Sequence, residues 1–177
     1  PAPREACPAM PCGGGIGPGS RAARQAAPSG DIAVIAPEST VRSGAYAEAI
    51  LRRRPEAQVR SLACPLFVPL AEEGWFDGPI AEGVVSRYLG PLFEKSPAPD
   101  CLVLGCTHYP FLRPVLDRIV AGRDVRIVDP SPAVARRVAE LLDRGGLRAA
   151  PDPLPRYEFI TFADEAYRLR LVRKALG

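Results

Sequence analysis

The sequence predicts an α/β fold, with a parallel sheet between two layers of helices and part of a second domain of the same type. From Asp31 onward, short apolar runs alternate with stretches of helical periodicity, and Pro, Gly or Ser separates them. Such alternation is typical of parallel strands joined by helical crossovers. The runs are IAVIA (32–36), VRSLA (59–63), CLVLG (101–105), VRIVD (125–129) and YEFIT (157–161), with helices expected at about 41–53, 78–94, 111–121, 131–144 and 163–175.

The sequence predicts one complete domain and parts of a second. One complete α/β domain is expected over residues 31–128. Residues 1–30, which are rich in Gly, Pro and Ala, are expected to be a remnant of another domain together with the connection between the two, although taken alone they also fit a flexible leader. Residues 129–177 are expected to be the C-terminal part of that other domain.

Composition and charge exclude several classes of protein. Of the 177 residues, 47% are hydrophobic and 24% charged, which is the profile of a soluble globular protein. No apolar run approaches the roughly 18 residues of a membrane span, and no signal peptide is recognisable, so a cytoplasmic location is expected. The net charge of +3 comes from scattered arginines rather than from the clustered basic stripe of a nucleic-acid-binding protein.

The cysteines are expected to be free thiols. Their number is odd, their spacing is irregular, and no secretion signal accompanies them, so a disulfide framework is not predicted. Only a cysteine with some exposure and a favourable local environment is reactive. The five are Cys7, Cys12, Cys64, Cys101 and Cys106.

The segment GCTHYP (105–110) is the most informative part of the chain for function. Cys106, Thr107 and His108 follow a buried strand and precede a helix, where unpaired N–H groups favour a thiolate or a bound carboxylate. A thiol and an imidazole in one pocket offer a proton acceptor and a group that tunes it. Three other interpretations stay open: Cys106 is an apolar core residue, His108 caps a helix, or both join Cys101 in a metal site.

Two further segments each follow another predicted strand. In SLACPLFVPLAEEGWF (61–76), Cys64 fits a core position, and an acid such as Glu72 either reaches the site of Cys106 or faces solvent. In IAVIAPESTVRSGAY (32–46), the hydroxyls of Ser39 and Thr40 either cap a helix or bind a substrate. The carboxyl ends of parallel strands are where such folds bind ligands.

Together these segments resemble the glutamate racemases. GCTHYP (105–110), CPLFVPLAEEG (64–74) and STVRSGAY (39–46) occur in the family's order and separation. MPCGGGIGPG (10–19) is similar to a strand and Pro-Gly turn of the family, and the likeness continues through VDPSPAVARRVAELL to YEFITFADEAYRLR. The resemblance implies a domain of the aspartate/glutamate racemase type and an isomerase that supplies D-glutamate for peptidoglycan, and so for cell wall biogenesis and cell shape.

The resemblance also implies a mechanism and a set of site residues. Family members invert glutamate at Cα with two cysteines and without cofactor or metal: one thiolate removes the proton and a thiol on the opposite face returns one. Cys106 matches one of these thiols, and Glu72 matches an acid of the active site. Thr107 and His108 match substrate-binding and thiol-tuning positions, and Thr40 matches a hydroxyl near the substrate carboxylate. Glutamate is the implied partner, a homodimer is compatible with the family, and no nucleic-acid or membrane partner is expected.

The sequence departs from the family pattern at several places. The family's Asp-Ser and Tyr-Gly turns, and the Cys-Asn-Thr segment that supplies the other thiol, are not found, and Cys7 aligns with a helix rather than with that thiol. Pro37 stands where the family has threonine, and Gly17 where it has glutamate. We therefore expect an N-terminally truncated racemase that is inactive as the chain stands. The alternatives are a non-catalytic protein that binds a dicarboxylate or a partner, and a related racemase acting on another substrate such as aspartate.

Overall fold

The computed structural model describes residues 14–94 and 98–149, together with three helical residues near the C-terminus, Leu169, Val172 and Arg173. These three lie in the helix predicted over 163–175. The rest of that helix, the predicted strand at 157–161, and Cys7 and Cys12 lie outside the described residues.

The described part of the chain contains one parallel sheet with the strand order β2-β1-β3-β4. The strands are β1 (Asp31–Ala36), β2 (Gln58–Ala63), β3 (Cys101–Leu104) and β4 (Arg126–Val128). In register, Ile32 of the central strand β1 lies opposite Val59 on one side and Cys101 on the other. The predicted α/β class with a parallel sheet is thus confirmed, and four predicted apolar runs correspond to its strands within two residues at each end.

Eight helical segments accompany the sheet in the described residues. They are α1 (Ile16–Ala26), α2 (Glu38–Ser43), α3 (Ala45–Leu51), α4 (Phe67–Glu72), α5 (Pro79–Glu94), the 3-10 helix η1 (Tyr109–Leu112), α6 (Arg113–Val120) and α7 (Ser131–Gly145). The helix predicted at 41–53 is instead two helices, because Gly44 adopts a left-handed conformation with φ of 66° that ends α2. Within the described residues, no helix is long and apolar enough to cross a membrane.

Helix α1 lies where the sequence predicts no helix. Pro18 sits in its first turn, where the missing N–H of proline costs no helical hydrogen bond. Pro18 and Gly19, which the resemblance places in a turn after a strand, are therefore helical here. A Cβ on Gly19 would lie 3.2 Å from both Pro130 and Tyr46, so this small residue lets α1 pack closely.

The core is divided by the sheet into two clusters, which gives the predicted three layers. On one face, α4, α5, η1 and α6 bury a cluster that includes Phe67, Val85, Leu89, Tyr109 and Leu116 against β1 and β3. On the other face, Ala23 of α1 and Tyr46 and Ile50 of α3 pack on Ile32 and Val103. Helix α1 also contacts α7. Residues 16–26 thus pack on the sheet of the domain predicted over 31–128, and the domain boundaries stay a prediction.

The topology places a crevice between β1 and β3. Strand β2 pairs with one edge of β1, and the chain then crosses over so that β3 pairs with the other edge of β1. The helices after the two central strands therefore diverge, and ligands of open α/β sheets bind at this point beyond the carboxyl ends. Cys106 follows β3 and Thr40 follows β1, so both belong to this edge.

Candidate active site

The turn that carries Cys106 is held against the end of β1 by Gly105. Its N–H donates a hydrogen bond to the Ile35 carbonyl over 2.7 Å. A Cβ at this position would lie 2.8 Å from the Ile35 oxygen and 2.9 Å from Cβ of Ala36, both closer than normal contacts allow. Glycine is required here because the two backbones approach so closely, and the turn that follows is fixed at the sheet edge.

Cys106, His108 and Glu72 form a line of polar contacts at this edge. The Sγ of Cys106 lies 3.7 Å from Nδ1 of His108, and Nε2 of the same ring lies 3.7 Å from Oε1 of Glu72. The imidazole and the carboxylate side chains are 35% and 43% exposed, so the line is open to solvent and to a ligand. An imidazole between a thiol and a carboxylate can take a proton from the thiol while the carboxylate orients the ring.

Glu72 reaches this line because α4 packs against η1, the 3-10 helix that follows His108. The helix begins at Phe67, whose N–H donates to the Cys64 carbonyl at the end of β2, and Phe67 is fully buried. Glu72 is the last residue of α4, and Gly74 then turns the chain with φ of 70°. The acid in this loop therefore does not simply face solvent, although Glu73 beside it is exposed.

The two predicted threonines lie at the same edge. Thr107 is exposed in the turn between Cys106 and His108. Thr40 is half-buried in α2, and its carbonyl accepts a hydrogen bond from the Ser43 hydroxyl. Neither α2 nor η1 has a side-chain cap, so Ser39, Thr40 and His108 do not serve as caps here. Binding of a substrate by these residues stays a prediction.

The other two described cysteines are core residues. Cys64 and Cys101 are fully buried, whereas Cys106 is partly exposed. Burial raises the pKa of Cys64 to about 12, and burial, reinforced by Asp100 and Asp31, raises the pKa of Cys101 to about 12. Both thiols therefore stay protonated near neutral pH, as expected for structural cysteines.

The metal site considered from the sequence is not formed. Cys101 begins β3 and its Sγ lies 3.8 Å from the carbonyl of Ala23, whereas Cys106 follows the opposite end of that strand. Within residues 14–94 and 98–149, no group of three or more His, Cys, Asp or Glu side chains is arranged to hold a metal ion.

Two tyrosines border the site, and the sequence reasoning assigned no role to either. The hydroxyl of Tyr109 donates a hydrogen bond to the Cys64 carbonyl over 2.9 Å, and its ring contacts Phe67. Tyr46 packs beside Gly105, and burial, together with the nearby Cys106, raises the pKa of its hydroxyl. Both residues belong to the motifs GCTHYP and STVRSGAY, but a motif does not show which of its side chains point into the core.

No protein-family model matches the chain. Individual proteins do match. A curated glutamate racemase of Geobacter metallireducens is 50% identical over 137 residues, which are 77% of this chain and 49% of that protein. The solved glutamate racemase isoform RacE1 of Bacillus anthracis superposes with a TM-score of 0.87 at 29% identity, over 99% of this chain and 66% of that one. The glutamate racemase of Francisella tularensis, solved with D-glutamate, superposes with a TM-score of 0.84 at 30% identity, over 98% and 63% of the two chains.

These comparisons confirm the resemblance that the sequence predicts. They also show that it extends over only part of each relative's length. The chain spans 49% of the Geobacter protein, 66% of the Bacillus chain and 63% of the Francisella chain. Sequence and fold are thus shared with part of each relative, and the relatives are isomerases by name. The activity of the whole relatives therefore comes to this chain only as a proposal.

Proposed function

We propose that this chain, which is homologous to the glutamate racemases over about half of their length, forms one acid–base face of a glutamate racemase with Cys106 as its proton-carrying thiol. The observation that carries the proposal is the line of contacts from the Cys106 Sγ through His108 to Glu72. Partial exposure of Cys106, in contrast to the buried Cys64 and Cys101, gives a substrate access to this thiol alone among the described cysteines.

In the proposed reaction, the thiolate of Cys106 takes the proton from Cα of one enantiomer of glutamate. The electron pair of the broken C–H bond remains on Cα, next to the substrate carboxylate. A thiol on the opposite face of Cα then donates its proton to the carbon, which completes the inversion and leaves a thiolate there. No segment matching the family's Cys-Asn-Thr is found in this sequence, so the chain provides one of the two faces.

His108 and Glu72 prepare Cys106 for this step. The Nδ1 atom of His108 is near enough to the sulfur to accept the thiol proton before the substrate reacts. Glu72 contacts the other ring nitrogen and so keeps the imidazole turned towards Cys106. Thr107 and Thr40 supply hydroxyl groups at the same edge, which are suited to bind the carboxylates of glutamate.

The proposed role is the supply of D-glutamate for peptidoglycan in the cytoplasm, with no cofactor. D-Glutamate bound to the Francisella relative supports glutamate as the substrate. An aspartate racemase and a non-catalytic dicarboxylate-binding protein remain the alternatives that the sequence raises. They differ from the proposal in the substrate turned over and in whether any turnover occurs.

A chimeric enzyme tests the proposal. The part of the Geobacter racemase that this chain does not match is joined to the chain, and the product is incubated with L- or D-glutamate while optical rotation is followed. We expect rotation to decay to zero from either enantiomer in the parent chimera, and to stay constant in its Cys106→Ala variant. Equal decay in both proteins would contradict the role of Cys106. Turnover of aspartate in preference to glutamate would select the related racemase.

The chain by itself is the second arm of the test. Incubated with either enantiomer in D₂O, it is expected to leave the optical rotation unchanged, because inversion needs an acid–base group on each face of Cα. Loss of the α-proton is followed in parallel by NMR. Decay of rotation to zero would mean that the chain contains a second base, and Cys7, Cys12 and Cys64 would be the first residues to replace. Binding of glutamate by the chain with an inactive chimera would support the non-catalytic alternative.

A further inference from the structure

The hydroxyl of Tyr109 joins the two elements that carry the ends of the Glu72–His108 contact. It donates to the Cys64 carbonyl over 2.9 Å, and the same oxygen accepts the Phe67 N–H over 3.1 Å. Phe67 is the first residue of α4, and Tyr109 is the first residue of η1. A single carbonyl oxygen therefore connects the beginning of α4 to the residue that follows His108.

The relative position of α4 and η1 decides whether Glu72 meets His108. Glu72 is the last residue of α4, and His108 directly precedes η1. The two side chains are 43% and 35% exposed, and Oε1 of Glu72 lies 3.7 Å from Nε2 of His108. Water therefore competes with each side chain for hydrogen bonds to the other. A contact between side chains this exposed holds its own geometry only weakly, and the backbones beneath it must supply the alignment.

We propose that Tyr109 is a positioning residue, whose hydroxyl fixes α4 against η1 so that Glu72 faces the His108 imidazole. This inference rests on the proposed role of the Cys106–His108–Glu72 line. The ring of Tyr109 is fully buried and contacts the Phe67 ring edge-on, with centroids 5.1 Å apart. Burial also raises the pKa of the Tyr109 hydroxyl, so the hydroxyl keeps its proton and can donate a hydrogen bond near neutral pH.

The imidazole itself reports on the contact, because His108 is the only histidine among the 177 residues. Its two ring nitrogens give two ¹⁵N NMR signals, whose positions depend on tautomer and on hydrogen bonding, and no assignment to other histidines is needed. The signals are recorded at one pH for the wild-type chain, for Tyr109→Phe, for Glu72→Gln and for the double variant. Tyr109→Phe removes one oxygen and keeps the ring.

We expect Tyr109→Phe to displace the imidazole signals in the same direction as Glu72→Gln, by about half of that displacement or more. Added to Glu72→Gln, it should change them little further, because the contact that it positions is then already lost. This non-additivity is the mark of two residues acting through one contact. Signals that stay at their wild-type positions in Tyr109→Phe would overturn the proposal, whatever the loss of stability.

Two variants separate the hydroxyl from the packing of the aromatic cluster. Tyr88→Phe removes the hydroxyl of a second tyrosine that contacts Phe67 edge-on, with ring centroids 5.5 Å apart, and should leave the imidazole signals in place. Phe67→Leu disturbs the ring contact and keeps the Tyr109 hydroxyl. If it moves the signals as far as Tyr109→Phe does, packing and not the hydroxyl positions Glu72, and the proposal fails.

Failure to fold is also informative. If Tyr109→Phe does not fold while Phe67→Leu does, as judged by circular dichroism, the hydroxyl serves the fold itself and the positioning role is rejected. The signals are read without substrate, so a chimera that does not racemise would contradict the proposed function and leave this inference standing. Unmoved signals beside an active chimera would contradict only the inference.

Discussion

Gly105 and Ile35 meet so closely that the N–H of one lies 2.7 Å from the carbonyl oxygen of the other. A Cβ on Gly105 would lie 2.8 Å from the same oxygen, which belongs to the backbone of β1 and has little freedom to move. We therefore expect Gly105→Ala to destabilise the chain by about 1–3 kcal/mol, measured by urea unfolding, and to slow racemisation by the chimera through displacement of Cys106.

Gly83 provides the matched control for this substitution. It lies in α5, and a Cβ there would meet no atom within 4 Å. Gly83→Ala should stabilise the helix by about 0.5–1 kcal/mol and leave racemisation unchanged. A Gly105→Ala variant as stable as wild type would show that β1 and the turn can separate without loss.

The three described thiols should react at very different rates with iodoacetamide. Burial raises the pKa of Cys64 and of Cys101 to about 12, so at pH 8 roughly one thiol in ten thousand of each is ionised. Cys106 is partly exposed and should be alkylated while the chain is folded. Tandem mass spectrometry of the peptides locates the label. Labelling of Cys64 or Cys101 as fast as Cys106 would mean that the core opens readily.

Asp100 should contribute stability that depends on pH. Partial burial by itself would raise its pKa, but hydrogen bonds from the Ser29 hydroxyl and from the N–H groups of Gly30, Ser29 and Asp31 outweigh this effect and lower the pKa. A lowered folded-state pKa gives stability that is present above the unfolded value of roughly 3.9 and is lost as pH falls through the folded value.

Asp100→Asn is the corresponding variant. Because Asp100 is only partly buried and solvent screens its interactions, we expect a loss of about 1 kcal/mol in the free energy of unfolding at pH 7. The difference from wild type should narrow as pH is lowered from 5 towards 3. Asp124→Asn, at an exposed position shortly before β4, is the control and should change stability little. A difference that widens at low pH would contradict the assigned hydrogen bonds.

His108 and Glu72 should differ in their effect on the chimera. His108→Asn removes the group that we propose to exchange a proton with Cys106, so we expect the rate of racemisation to fall about 10²-fold or more. Glu72→Gln keeps the shape and removes the charge, and because it acts through His108 its effect should be smaller. Glu73→Gln changes the neighbouring exposed acid and should leave the rate as it is. A larger effect of Glu73→Gln than of Glu72→Gln would reverse the assignment of the acid.

The regular strands could be predicted because local pattern determines them. The apolar runs of β1 and β3 mark these strands clearly, since strands buried between two helical layers must be apolar on both faces. The outer strands β2 and β4 are partly exposed and each contains an arginine, so their apolar pattern is weaker. The helices were less predictable where glycine and proline are frequent. Helix α1 contains Gly17, Pro18 and Gly19, which argue against a helix locally, yet packing against Tyr46 and Pro130 favours one.

For the candidate site, the sequence by itself determined that Cys106 and His108 lie together. They are two positions apart in one turn after a buried strand, so their backbones must be close in space. Local pattern did not decide which acid joins them, and only the family resemblance favoured Glu72. Glu72 and Glu73 are adjacent in the chain, and Glu72 and His108 are 36 positions apart. Only the tertiary structure shows that Glu72 contacts His108, because α4 packs on η1 through the ring of Phe67 and the hydrogen bond from Tyr109 to Cys64. Such long-range packing leaves no periodic signal in the sequence.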